Sequence, residues 1–371
     1  MQMTTHSDAA LDLSEVQSVE AGFDAAALGE AVDYAVTQAE TPWPTDLSAG
    51  LAASGEHEPP PWNEIIGPTR PRGGPNGMIL RNGRVAAKWG EIDRVDMTFS
   101  VAKSYLAILA GIAVADGLIR DLDDPIRDYG LDDGYDNSQN GTVTWRHMLT
   151  QTSEWEGTLW DKPDLIDRNR QVGVGADNSR KGTHRDLQAP GSFWEYNDVR
   201  VNRFALSLMQ LFRRPLPDIL RSRVMAPIGA SDTWQWHGYQ NSWTAIDGIR
   251  MQSVPGGSHW GGGLWISTQD HVRVGQLILR GGAWNDKTLI QPEWIHALQQ
   301  PCDINPRYGL LWWLNTDRGH YASAPESSFF AVGAGTNVIW IDPDLDLLMV
   351  ARWIDQSKID ALIARVLDGV R

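Results

Sequence analysis

The sequence predicts an α+β fold: an antiparallel β-sheet flanked by N- and C-terminal helices, with an inserted, mostly helical domain. Two observations carry that expectation. Strand-forming segments come as hairpins near both ends, around Asn82-Gly83 and around Asp342-Pro343-Asp344, rather than in β-α-β alternation. Between about residues 121 and 260, helical spacing and long loops rich in Trp, Gly and charge take over. The chain has 371 residues, enough for about two domains. The expected division is a flexible polar arm over residues 1–20, an α/β domain built from 21–120 and 261–371, and a helical insert over 121–260.

The elements follow in order. Leu28, Ala31, Val32, Ala35 and Val36 recur at helical spacing between Asp24 and Glu40. Thr41 to Pro75 is rich in Pro and Gly and reads as an irregular loop. Met78-Ile79-Leu80 and Val85-Ala86-Ala87 flank Asn82-Gly83, a pair that tolerates the positive φ angles of a type I′ turn. Ser100 to Leu118 reads as a long apolar helix. Thr142 or Thr144 caps a short helix through Leu149, and Asn197 to Phe212 and Leu216 to Met225 are helical. Ser267 with Asp270 resembles a capping box opening a helix to Arg280. Asn337 to Ile341 and Leu347 to Trp353 form the second hairpin, and Ile359 to Val370 an amphipathic helix.

Composition excludes several functions. Lys and Arg number 32 against 47 Asp and Glu, a net charge of −15 without a basic run, so no nucleic-acid partner is expected. The single cysteine, Cys302, cannot build an intrachain disulfide framework or a multi-cysteine zinc site. The longest apolar run, Tyr105 to Ala115, is shorter than the ~18 residues of a membrane span. The N-terminus lacks the basic start and apolar run of a secretory signal, so a cytoplasmic location is expected. No Gly-x-Ser-x-Gly, Walker A, Gly-x-Gly-x-x-Gly or His-Glu-x-x-His pattern occurs, and the nine histidines are scattered. Neither metal nor cofactor is expected.

Ser100-Val101-Ala102-Lys103 carries the chemistry. Ser100 opens the apolar helix, and Lys103 lies one turn on, on the same face. Partial desolvation is expected to lower the lysine's pKa, and a less charged amine beside a hydroxyl can remove its proton. The helix N-terminus adds a positive field where an oxyanion forms. On these residues alone, an N-cap serine with an edge lysine is an equal alternative.

Four segments in order decide between the two. Thr98-Phe99-Ser100-Val101-Ala102-Lys103-Ser104 resembles the nucleophile motif of serine hydrolases related to class C β-lactamases. That group includes penicillin-binding proteins, family VIII esterases and 6-aminohexanoate-dimer hydrolases. Thr142 to Ser153, Gly191-Ser192-Phe193-Trp194-Glu195-Tyr196-Asn197 and Gly262 to Asp270 are similar to further motifs of the group. The resemblance implies a β-lactamase/transpeptidase-like fold, with Ser100 as nucleophile and Lys103 and Tyr196 as the activating pair. The third motif, usually Lys-Thr-Gly or His-x-Gly, corresponds to Ala331-Val332-Gly333-Ala334-Gly335-Thr336, which lacks the cation. The amides of Ser100 and Ala334 are then expected to form the oxyanion hole, with Gly333 and Gly335 letting substrate approach. Asn197 directly follows Tyr196, and Asp198 takes the usual Asn place; both are candidate substrate contacts. These departures disfavour penicillin-like anions and favour the esterase and amidase branch.

The 18 tryptophans are the compositional oddity. Trp155, Trp160 and Trp260 fall in segments next to the motifs, as do Trp194 and Trp265, and are expected to line an apolar substrate pocket. The expected activity is hydrolysis of a small ester or amide through an acyl-enzyme. Acyl transfer to an amine or alcohol, β-lactamase or DD-peptidase activity, and a silent binding protein are the rivals.

Overall fold

The computed structural model describes residues 13–54 and 58–371. Helix α1 (Ala25–Thr37) starts at Asp24, whose carboxylate accepts the Ala26 and Ala27 amides. Strands β1 (Asn76–Arg81) and β2 (Arg84–Trp89) meet at Asn82 and Gly83, with φ of 53° and 73°. Both angles are positive, as the turn chemistry requires. Helix α2 (Val101–Ala115) is buried on every side from Val101 to Ala113. Helices α3 (Asp198–Phe212) and α4 (Thr268–Leu279) precede strands β3 (Trp313–Leu314), β4 (Phe329–Gly333), β5 (Asn337–Asp342) and β6 (Leu347–Arg352). Helix α5 (Ile359–Asp368) follows.

The six strands form one sheet in the order β3-β4-β5-β6-β1-β2, antiparallel at every junction. Strand β6 is the joint between the two ends of the chain, pairing Leu348 with Leu80 of β1 and with Ile341 of β5. Side chains alternate across the pleat. Met78, Leu80, Ile339, Ile341, Leu348 and Val350 face a core shared with α2, α3 and α4. Ile79, Val338, Trp340, Leu347, Met349 and Ala351 face α1 and α5 on the other side. Helix α2 thus lies inside the larger core, fixed on all sides.

Three expectations change. Of the arm, residues 1–12 lie outside the described residues, but Leu13 to Glu20 is docked: the Val16 amide donates to Val85 on β2. The loop from Thr41 to Pro75 holds a helix, Leu47–Ser54, with the Ser48 amide on the Asp46 carboxylate. The middle is also less helical than its periodicity implies. It holds a hairpin, Trp243–Ile246 with Ile249–Gln252, turning on Asp247-Gly248 at φ of 56° and 77°. Gln235–His237 pairs with Gly263–Ile266, which pairs with Asp96–Met97. Strands of two to four residues are too short for a visible alternation, and their pairing is non-local. Residues of this middle share one apolar core with the sheet.

Candidate active site

The segment before Ser100 is held from three sides. Asp96–Met97 is bound edge-on by Gly263–Ile266. Arg352, buried at the end of β6, donates to the carbonyls of Asp96, Met97 and Ile266 and to Asn337 Oδ1. Burial, despite the neighbouring Asp96, brings its guanidinium down to about 10. Phe99 then adopts φ 50°, a left-handed conformation costly for a residue with a Cβ. Its ring is wedged edge-on between Trp43, at 5.2 Å, and Trp353, at 6.3 Å. Packing therefore holds a backbone kink that presents Ser100 at the start of α2. The Ser100 side chain makes no capping hydrogen bond. Its Oγ is instead 2.8 Å from Lys103 Nζ, so the N-cap alternative does not hold.

Lys103 is fully enclosed. Nζ lies 2.5 Å from Asp198 Oδ1, 3.3 Å from the Gly256 carbonyl and 4.7 Å from the centroid of the Tyr196 ring. Burial alone would push the ammonium down, but the Asp198 carboxylate, with Tyr196, outweighs it and holds Lys103 above the ordinary lysine value. The expected lowering by desolvation is thereby reversed, because the lysine has a carboxylate partner that its motif does not reveal. Asp198 itself is kept well below the carboxylate range: burial opposes this, but Lys103, Arg170 and His259 prevail. Its second oxygen is 2.7 Å from Arg170 and 3.2 Å from His259 Nδ1. Beyond, His259 Nε2 is 2.5 Å from Glu58 Oε1, which also takes the Lys181 ammonium at 2.5 Å. Glu58, Asp167 and His259 have the donor types of a divalent-cation site, but Lys181 Nζ also lies 3.3 Å from Asp167 and supplies a cation there.

Glycines bring backbone against Ser100. A Cβ on Gly333, at the end of β4, would lie 2.2 Å from the Thr98 carbonyl and 3.1 Å from the Ser100 amide. One on Gly257 would sit 3.4 Å from Ser100 Oγ and 3.3 Å from Lys103 Nζ. Ala334 follows Gly333 at the exposed tip of the β4–β5 turn, where Gly335 has φ 69°. Among the described residues, neither the Ser100 nor the Ala334 amide donates to another backbone carbonyl.

Residues 77–353 match the Beta-lactamase family. The chain belongs to that family. Solved structures agree in fold. A β-lactamase from Mycobacterium bovis is 18% identical, with a TM-score of 0.55 over 79% of this chain and 94% of its own. EstCE1, a hydrolase with promiscuous acyltransferase activity, is 15% identical, with a TM-score of 0.56 over 85% of this chain and 97% of its own. A candidate 6-aminohexanoate-dimer hydrolase from Bacillus anthracis is also 15% identical, with a TM-score of 0.52 over 79% and 77%. A separate local likeness is to a probable isochorismatase of Pseudomonas chlororaphis, 31% identical over 107 residues. It covers 28% of this chain, and the chain spans about half the length of that relative.

This β-lactamase-family serine hydrolase places the residues singled out from its sequence unevenly. Ser100, Lys103 and the ring of Tyr196 come together, as do Gly333 and the Ser100 amide. Tyr196 is 4% exposed and stacks on Trp313, with centroids 5.9 Å apart. Asn197 does not face the cleft. It is the buried cap of α3: Oδ1 accepts the Val199 and Arg200 amides and Nδ2 donates to Asp164. Asp198 is likewise spent on Lys103, Arg170 and His259 rather than offered to substrate. Trp155 and Trp260 are core residues, their indole N–H groups bound by the Gly134 carbonyl and Glu58. Trp160 is half-buried at a left-handed turn, its carbonyl accepting from Asn241. Twelve of the tryptophans are buried, so packing accounts for most of the excess. Sequence reasoning missed Glu58, Arg170, Gly256, Gly257 and His259. Only Pro255-Gly256-Gly257 carried a local signal, that of a loop. A depression of about 240 Å³ is walled by Arg170, Asp177, Arg180, Phe193, Trp194 and Glu195, among others. No helix of the described residues is long and apolar enough to cross a membrane.

Proposed function

We propose that this hydrolase cleaves a small ester or amide through an acyl-enzyme on Ser100. The observation that carries the reading is the uncapped Ser100 hydroxyl at the head of α2, 2.8 Å from the Lys103 ammonium. Lys103, kept charged by Asp198, donates to Oγ and lies 4.7 Å from the ring centroid of Tyr196, the proposed phenolate base. Tyr196 takes the Ser100 proton as Oγ attacks the carbonyl carbon, and returns it to the leaving alcohol or amine. The amides of Ser100 and Ala334, with the positive end of α2, bind the oxyanion. Water then attacks the ester, Tyr196 accepts its proton, and the acid leaves as Ser100 is restored.

The third motif offers no cation for a substrate carboxylate, and Arg170 is already paired with Asp167 and Asp198. In the depression nearby, Phe193, 37% exposed, and Trp194 stand among polar and charged neighbours, Arg170, Asp177, Arg180 and Glu195. We therefore assign small esters or amides other than penicillin-like anions as the substrate class. Intact-mass measurement across esters, amides and lactams tests this: an acyl adduct on wild type and none on Ser100→Ala is expected. Wild-type turnover in Ser100→Ala would overturn the mechanism, and nitrocefin turnover matching the best esters would overturn the substrate class.

A further inference from the structure

His259 touches none of the proposed reacting atoms, yet it is bound at both ring nitrogens. Nδ1 lies 3.2 Å from Asp198 Oδ2 and Nε2 2.5 Å from Glu58 Oε1. Ionised carboxylate oxygens only accept hydrogen bonds, and a neutral imidazole has one N–H and one lone pair. A neutral ring would therefore turn a lone pair onto one of the two carboxylates. Only the imidazolium satisfies both. The ring cannot swing away: it lies on the Trp260 indole with centroids 4.2 Å apart, and the Trp260 N–H holds the other Glu58 oxygen at 2.9 Å.

We propose that His259 is a positioning residue, a fixed imidazolium bridging Glu58 and Asp198 that sets the pH range over which Ser100 is activated. The inference rests on the hydrolase reading above. Three carboxylates, of Asp198, Glu58 and Asp167, meet the cations of Lys103, Arg170 and Lys181 in one continuous network. Lys162 and Tyr239 lie on the same Trp260 ring. Without a charge on His259, the three carboxylates and three cations balance. With the imidazolium, this ion-paired network carries one surplus positive charge, and its Lys103 and Arg170 lie over the Tyr196 ring. Burial alone would lower the proton affinity of His259, but Asp167, Asp198 and Glu58 outweigh it, so the charged form persists above the ordinary histidine value.

The consequence has a definite sign. A positive charge on the far oxygen of Asp198 weakens that carboxylate's hold on the Lys103 proton. Removing the imidazolium makes the Lys103–Tyr196 pair harder to deprotonate and moves the acidic limb of activity to higher pH.

The rate of Ser100 labelling by a fluorophosphonate, measured against pH, reads this limb without a known substrate. In His259→Gln the limb is expected to rise by about one unit. A merely structural role would lower the plateau without moving the limb. Nitrogen-15 NMR of the wild type provides a readout that needs no variant: both His259 nitrogens are expected to carry protons at neutral pH. A neutral tautomer there, or an unmoved limb in a folded His259→Gln protein, overturns the proposal. Failure of wild-type Ser100 to label at any pH sinks the hydrolase reading instead.

Discussion

Asp198 gives the Ser-x-x-Lys pair of this chain a different electrostatic setting from the Asn found at that place in the motif it resembles. Its carboxylate serves three cations at once, two of them on one oxygen. Removing one partner of a buried charge group leaves the rest uncompensated. Asp198→Asn is therefore expected to cost about 3–5 kcal/mol in urea unfolding and to lower the Lys103 pKa. The linked groups also shape stability against pH. Glu58 is held at about 2: burial opposes ionisation, but His259 and Lys181 prevail. Its contribution is full above the unfolded value of 4.5 and is lost as pH falls through about 2. His259 is shifted the other way. Its contribution is full below the unfolded value of 6.5 and is lost as pH rises through its raised folded value. Unfolding free energy is expected to form a plateau between these limits, with the acidic fall altered in Glu58→Gln. Ser100, Lys103 and Tyr196 were legible because each lies in a short linear motif. Glu58, Arg170 and His259 were not, because ion pairs among distant loops leave no spacing to read. Tryptophan misled for a related reason: residue type does not distinguish a core from a cleft.

At the scale of elements, the β4–β5 hairpin and the kink at Phe99 set where the nucleophile meets its proposed oxyanion donors. Gly333→Ala would drive a methyl into the Thr98 carbonyl, only 2.2 Å from the ideal Cβ position. The strand must then retreat from the Ser100 amide. Displacements near 1 Å at such a site cost about 100-fold in rate, so fluorophosphonate labelling should fall by that order. Phe99→Ala removes the ring wedged between Trp43 and Trp353. We expect a loss of about 3–5 kcal/mol in denaturant unfolding, the usual cost of emptying such a site. The hairpins around Asn82-Gly83 and Asp342-Pro343-Asp344 were readable because turn chemistry and apolar strands coincide there. The Trp243–Gln252 hairpin carries an equally good Asp247-Gly248 signal. Its strands are short and largely exposed, so no regular apolar alternation marks them in the sequence.

Across the whole molecule, the sheet draws strands from both ends of the chain and separates two apolar layers. The outer layer depends on α1 and α5, tied where the Asp24 amide meets the Gly369 carbonyl. Ile359, Leu362, Ile363 and Val366 of α5 are each buried to within 1%. At about 1.5–3 kcal/mol per buried side chain, their loss rivals the total stability of a typical domain, about 5–15 kcal/mol. A chain ending at residue 358 is expected to show no cooperative calorimetric transition. The α+β class was readable from the hairpins at either end. The joining of middle and sheet in one core was not, since it arises from contacts that neither segment shows alone.

Arg352 adds a dimension of time. It clamps the backbone before Ser100 but lies on β6, so a ribosome delivers the nucleophile long before the residue that steadies it. Ribosome-bound chains stalled before Leu347 should contain Ser100 yet fail to react with a fluorophosphonate.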